Sequence, residues 1–339
     1  MGMKIFGFWG AFLLMHLTQK SNGQGMHFSQ YYNAPLLINP ANTGLTPNSD
    51  FRLGANYRKQ WSSIPVPYRT ISAFADFQAF RNLNETNWMG LGLAFFNDQA
   101  GVGNLSLSKI EGFLAYHVQM GDYFMISGGA SAGYGSRSVD MSKFTYDLQW
   151  DGFTFNSDLP TSEIEGIQKT NYLDLGAGLN FALFPNENVY IKLGIGLSHI
   201  NQPQETFLGY QNKLGLRPTV NLDALFKLGE KLSVNPSAYY SQEKGAYEAL
   251  YGLLFSSAFS ASEDVGALYL GVYHRLNDAV VPVVGMGFND TRLMFSYDFT
   301  ISNLSIYNRS SGAFEVSLNY EGIYGEGAHS RRTYHCPRF

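Results

Sequence analysis

An all-β fold, a transmembrane β-barrel of the outer-membrane type with about fourteen antiparallel strands, is what this sequence predicts, on three observations. Apolar and polar side chains alternate in segments of roughly ten residues between positions 51 and 320. The connections between those segments are alternately brief and long. Charge is sparse and aromatics are plentiful: charged residues make up 15% and aromatic residues 15%, against about a quarter charged in a typical soluble domain. Ten residues tilted by about 40° climb roughly 25 Å, the height of an outer membrane's apolar band. A soluble β-sandwich alternates too, but it predicts neither the two-sided loop pattern nor so little charge. The net charge of -4 argues against a nucleic-acid partner, whose phosphates select a basic surface.

The elements follow in order. Lys4, a mostly apolar stretch over 5–17 and the small residues Ser21, Asn22 and Gly23 read as a signal peptide over 1–23, with the mature chain starting near Gln24. The apolar stretch is shorter than the about 18 residues a spanning helix needs. Residues 24–50 are expected to form a periplasmic segment packing under or in the barrel, and 51–320 the barrel itself. In 52–60, Leu53, Ala55 and Tyr57 alternate with Arg52, Asn56 and Arg58; in 68–80, Ile71, Ala73, Ala75 and Phe77 alternate with Thr70, Ser72, Asp76 and Gln78. Strands at 88–97, 105–118 and 123–137 are blurred by glycine. After a polar stretch over 138–170 the pattern returns at 172–183, 189–199, 214–226, 232–241, 247–257, 265–275, 280–288, 291–300 and 313–320.

The loops orient the strands, because such barrels keep short turns at the periplasmic side and long loops outside. The longest connections, 138–170, 200–212 and 301–312, all fall on one side, and an even strand count returns 321–339 to the periplasm as a tail. The single cysteine, Cys336, excludes an internal disulfide and a thiolate metal cluster.

No catalytic arrangement emerges, and no cofactor or metal is expected. His27, His117, His199, His274, His329 and His335 are scattered without metal-ligand spacing, Gly101 and Gly103 lack the strand and helix of a phosphate loop, and no Gly-x-Ser-x-Gly elbow occurs. Arg52, Arg58, Asp76, Lys192, Arg217, Asp223, Arg292, Asp298 and Glu315 should point into the lumen, since a cation facing lipid near the midplane costs about 2–4 kcal/mol. The terminal strands become neighbours on closure, so Arg52 or Arg58 can pair with Glu315; which one depends on shear.

Met26-His27-Phe28-Ser29-Gln30-Tyr31, Asn39-Pro40-Ala41 with Gly44, and Tyr57-Arg58-Lys59-Gln60-Trp61 resemble the opening of the PorP/SprF family of Bacteroidota outer-membrane proteins. Asn97-Asp98 with Gly101, Tyr297-Asp298, Ala313-Phe314-Glu315-Val316 and the closing Cys336-Pro337-Arg338-Phe339 resemble its later motifs, with Ala313-Phe314 standing where the family often has serine-histidine. The resemblance implies no enzyme but a type IX secretion component that helps export or anchor a surface cargo protein, such as an adhesin with a C-terminal sorting domain, alongside gliding machinery. Implied partners are that cargo, other secretion components, a periplasmic lipoprotein and outer-membrane lipid. Asn39, Pro40, Arg58, Gln60, Trp61, Asp98, Gly101, Tyr297 and Asp298 are carried over as partner-binding or plug positions. Two alternatives stay open: a channel for small or apolar solutes, and a structural barrel tethering a periplasmic lipoprotein through 321–339.

Overall fold

The computed structural model describes residues 28–46, 49–61, 68–82, 86–156, 158–160, 166–207, 210–259, 266–303, 305 and 311–324. The expected signal peptide, Cys336 and most of the C-terminal tail lie outside the described residues.

Fourteen strands close into one antiparallel barrel. They are β1 (Phe51–Gln60), β2 (Tyr68–Ala79), β3 (Asn87–Ala100), β4 (Leu105–Met120), β5 (Phe124–Asp140), β6 (Ile167–Asn186) and β7 (Val189–Ser198). A separate two-stranded hairpin, β8 (Gln204–Phe207) and β9 (Tyr210–Lys213), follows. The wall resumes with β10 (Arg217–Lys227), β11 (Leu232–Glu243), β12 (Ala246–Ala258), β13 (Ala267–Arg275), β14 (Ala279–Phe288), β15 (Thr291–Thr300) and β16 (Ser311–Gly322). The barrel shuts by pairing β1 with β16, from Phe51 opposite Gly322 to Gln60 opposite Ala313. Closure leaves no strand edge to satisfy within lipid, where an unpaired backbone group costs several kcal/mol.

The period of two sorts the side chains. Leu53, Leu93, Ile110, Leu114, Leu179, Ile195, Leu222, Leu270, Val284 and Leu318 are exposed on the outer face, the one that meets hydrocarbon. Asn56, Arg58, Ser72, Asp76, Asn180, Asn221, Ser296, Asp298 and Glu315 alternate with such residues and are buried in the lumen.

Two strand ends that fall within the expected loop 138–170 do so for one reason. β5 runs on to Asp140 and β6 starts at Ile167, both inside the stretch read as a loop. Beyond Tyr134 the outward positions of β5 become Ser136, Ser138 and Asp140, and those of β6 before Leu173 include Lys169 and Asn171. The ladder continues, but the outward side chains have left the apolar band, so alternation vanishes while hydrogen bonding does not. Similarly, β8 and β9 hide in the expected loop 200–212, because four-residue polar strands carry no apolar rhythm.

The lumen is filled by the chain's own N-terminal segment. Residues 28–46 pass through it as a 3-10 turn (Tyr31–Asn33), a single α-helical turn (Pro35–Ile38) and a second 3-10 turn (Pro40–Asn42), and Phe28, Ser29, Tyr31, Leu36, Asn39, Ala41 and Thr43 are all buried. Pro35 and Pro40 each open a turn, the position where no N–H is needed and a fixed φ is helical already.

Candidate functional site

The segment is gripped most tightly at Ser29 and Gln30. Their consecutive backbone N–H groups donate to the two oxygens of Glu315, at 2.6 and 2.9 Å. Ser29 Oγ donates to Asp298 (2.8 Å) and accepts from Arg58 Nη1 (2.9 Å) and from Arg275. Arg58 pairs with Glu315 and, at 2.9 Å, with Asp298; Arg275 pairs with Asp298 at 3.0 Å and with Glu248 at 3.2 Å. Arg58 and Glu315 are cross-strand partners on β1 and β16, so closure of the barrel creates the pair. A bulge between Tyr297 and Phe299 interrupts the β15–β16 register at Asp298. The network knots β1, β12, β13, β15 and β16 around two residues of the inserted segment.

Further along, wall side chains meet rings, amides and backbone groups of the segment. Tyr31 stacks on Tyr239 and Tyr32 on Tyr273, with ring centroids 5.2 and 5.3 Å apart. Asn39 caps its own turn by accepting from Ala41 N–H and donates to Asn180 and to the Leu179 carbonyl. His117, wholly buried, lies 2.8 Å from both Ser127 Oγ and the Thr43 carbonyl. Gly44 N–H donates to Asp76 and its carbonyl accepts from the Trp88 indole. Arg52, the other candidate for Glu315, pairs instead with Asp76 at 2.8 Å. The wall is cut to this shape: a Cβ on Gly90 would overlap the Thr43 carbonyl oxygen, and one on Gly178 the Asn39 side chain.

Between the segment and the walls β3 to β7, β10 and β11 lies a chamber of about 410 Å³, toward the end with the long connections. Its base is apolar, with Phe28, Leu36, Leu37, Ile38, Phe96 and Phe113; its sides are ion pairs. Lys109 holds Glu111 (2.7 Å) and Asp174 (2.6 Å), His199 lies 2.8 Å from Asp174, and Arg137 holds Glu205 at 2.7 Å.

The carried-over positions fall into distinct places. Arg58 and Asp298 meet in the ion network. Asp98 accepts from Thr70 (2.6 Å), whose cross-strand partner is Arg58, and lines the chamber, as does Pro40. Asn39, in the inserted segment, donates to Asn180 of β6. Gln60 ends β1 and Trp61 follows it; Trp61 takes a positive φ of 55°, donates its N–H to the Gly312 carbonyl and packs edge-on against Tyr68. Gly101 forms an open turn at φ 70°, and Tyr297 packs edge-on against Phe299. Ser29, Gln30, Arg275, Lys109 and Asp174 belong to the site without being among the carried-over positions. Alternation in β13 puts Arg275 on the same face as the buried Tyr273, a signal that was available.

The longest connection, 141–166, carries a folded knuckle. Trp150 and Phe155 bridge as an isolated antiparallel pair with rings 5.0 Å apart, and Phe153 at the tip is 93% exposed. The turn is held by Asp151, whose carboxyl accepts from the backbone N–H groups of Thr154 and Phe153, and these donors keep it below the usual carboxylate range.

Compared with known proteins, the chain matches the family described as "type IX secretion system membrane protein PorP/SprF" over residues 20–320. No curated protein matches it significantly by sequence. Among solved structures it is similar to the toluene transporter TbuX of Ralstonia pickettii, at 10% identity and TM-score 0.52, covering 85% of this chain and 91% of that one. It is equally similar to a FadL homologue of Pseudomonas aeruginosa, at 10% identity and TM-score 0.52, covering 85% and 94%. The toluene transporter TodX of Pseudomonas putida gives 9% identity and TM-score 0.50 over 85% and 91%. At such identities the likeness is one of fold, that of outer-membrane barrels.

Proposed function

This chain belongs to the PorP/SprF family of type IX secretion system membrane proteins, and from that premise we propose that it helps export or anchor a cargo surface protein at the outer membrane. The observation that carries the reading is the filled lumen. Residues 28–46 occupy the barrel's interior and are fastened to it by buried ion pairs and amide contacts, so the barrel is built as a platform. We take the end bearing 141–166 and 199–216 as the outside, by the loop rule for such barrels, which puts Asp50 and Gly322 at the periplasmic end. In this orientation the aromatic knuckle and the chamber mouth face arriving or departing cargo. Other secretion components are the partners the family implies, and a cargo adhesin with a C-terminal sorting domain is the client proposed here.

Deleting the gene tests it. The expected result is loss of one large surface protein from the cell exterior with its synthesis intact. Unchanged surface proteins together with altered uptake of small solutes would overturn the proposal in favour of a channel. The chamber's apolar base and the toluene transporters' shared fold favour that second reading to the extent that the segment can move aside.

A further inference from the structure

The wall has a gap in its ladder beside the chamber. β7 pairs with β6 only over 177–186, so Ile167–Gly176 has no strand partner on that side among the described residues. Where β7 ends, a side chain substitutes for it: Asn201 donates to the Leu173 carbonyl (2.7 Å) and accepts from Leu175 N–H (3.1 Å), while Ile200 N–H donates to the Leu175 carbonyl (3.0 Å). Since successive residues of a strand aim their backbone groups to opposite edges, Ile167, Lys169 and Asn171 aim theirs the same way as Leu173 and Leu175, into the gap. The β8–β9 hairpin does not close it. It forms its own sheet and lies beside β6 without pairing to it, with Glu205 buried against Arg137.

We propose that this open edge of β6 and the adjoining chamber form one docking site for an extended polypeptide segment, which adds as a strand along 167–173 and sinks an apolar side chain into the chamber. The inference deepens the secretion reading and takes its orientation from it. An unpaired ladder above the apolar band is a template for another chain, because main-chain bonds supply affinity while alternate side chains find pockets. Ser136, Ser138, Lys169 and Asn171 on the outward face, with Ile167 the apolar exception, set this stretch beyond the lipid, so the added strand comes from a protein in water. The chamber selects what that strand carries. Five of its wall charges are matched to one another, Lys109 by Glu111 and Asp174 and Arg137 by Glu205, so a charged group gains little beside them, whereas the base offers Phe28, Leu36, Phe96 and Phe113. A small amphiphile would use the chamber and leave the edge bare.

The test pans a phage-displayed library of random twelve-residue peptides against the full chain in lipid nanodiscs and measures the best binder on variants. Asn171→Pro removes an N–H that points into the gap and leaves the β5–β6 bonds in place; heat-dependent gel mobility reports that the barrel still forms. Ser198→Trp fills the chamber rim. The expected result is peptides with an apolar residue between polar ones, at least tenfold weaker binding to either variant, and slowed hydrogen exchange at Lys169 and Asn171 in the wild-type chain, a readout that needs no variant. Failure to enrich any binder, or binding indifferent to both substitutions, overturns the inference. Weakening by Ser198→Trp alone, without amide protection, overturns strand addition and leaves a small-ligand cavity. These measurements use purified protein, so they stand apart from the gene-deletion result that decides the secretion reading.

Discussion

Arg58 shows how much one residue can be read and how much cannot. Its parity in β1 with Asn56 and opposite Leu53 makes it a lumen residue from sequence alone. That it pairs with Glu315 and Asp298 and leaves Asp76 to Arg52 depends on the shear of the closed wall, which no local pattern encodes. Because both ions are 2% exposed, removing Glu315 leaves Arg58 with only Asp298, which Arg275 shares, and leaves the buried Ser29 and Gln30 N–H groups without their acceptor: Glu315→Ala is expected to lower the barrel's stability by about 3–5 kcal/mol, read as a lower urea midpoint in detergent. Replacing Ser29 by Ala removes a single hydroxyl that links both arginines to Asp298, and its cost is expected to be roughly 1–3 kcal/mol. Gly178→Val tests fit without charge. Its side chain would take the space of Asn39, so the segment should be displaced, and limited proteolysis near residue 39 should become faster while the strands stay protected.

At the scale of elements, the inserted segment fills the barrel's interior. Its turns are too short to be stable alone, since isolated helices below about 12 residues are marginal, and they persist because the wall supplies partners for them. Deleting residues 28–46 is expected to leave a folded barrel with a wide lumen, seen as a severalfold rise in single-channel conductance across planar bilayers. No change in conductance would mean that the wall collapses inward instead. The knuckle at 141–166 is held by backbone donors on Asp151, so its sign with pH is fixed: the ionised carboxyl is favoured in the folded turn, the support is complete above the ordinary carboxylate range, and it is lost as pH falls through the depressed value. Fluorescence of Trp150 should therefore change only in acid, below about pH 4.

For the whole molecule, one apolar band wraps a polar, self-filled interior. Leu179 faces out near the middle of β6, and Leu179→Arg is expected to cost about 2–4 kcal/mol, measured by refolding into lipid vesicles; Ser72, facing in, should tolerate polar replacement far better. Strand number, inward charges, loop asymmetry and the family resemblance of the Met26-to-Trp61 block were legible in the sequence, because each is written in spacing along the chain. Hydrophobic alternation, however, reports contact with lipid, and it fell silent where β5 and β6 rise beyond the apolar band and where β8 and β9 form a polar hairpin. By itself, then, the sequence determined a closed wall in an outer membrane, since a period of two over membrane-height segments has no other low-energy solution there. Only the tertiary structure decided that residues 28–46 fill the lumen and that Arg58 meets Glu315, for both depend on contacts between segments far apart in the chain, and that β6 outlasts its neighbour β7, for that depends on pairing beyond the apolar band, where no apolar rhythm marks it.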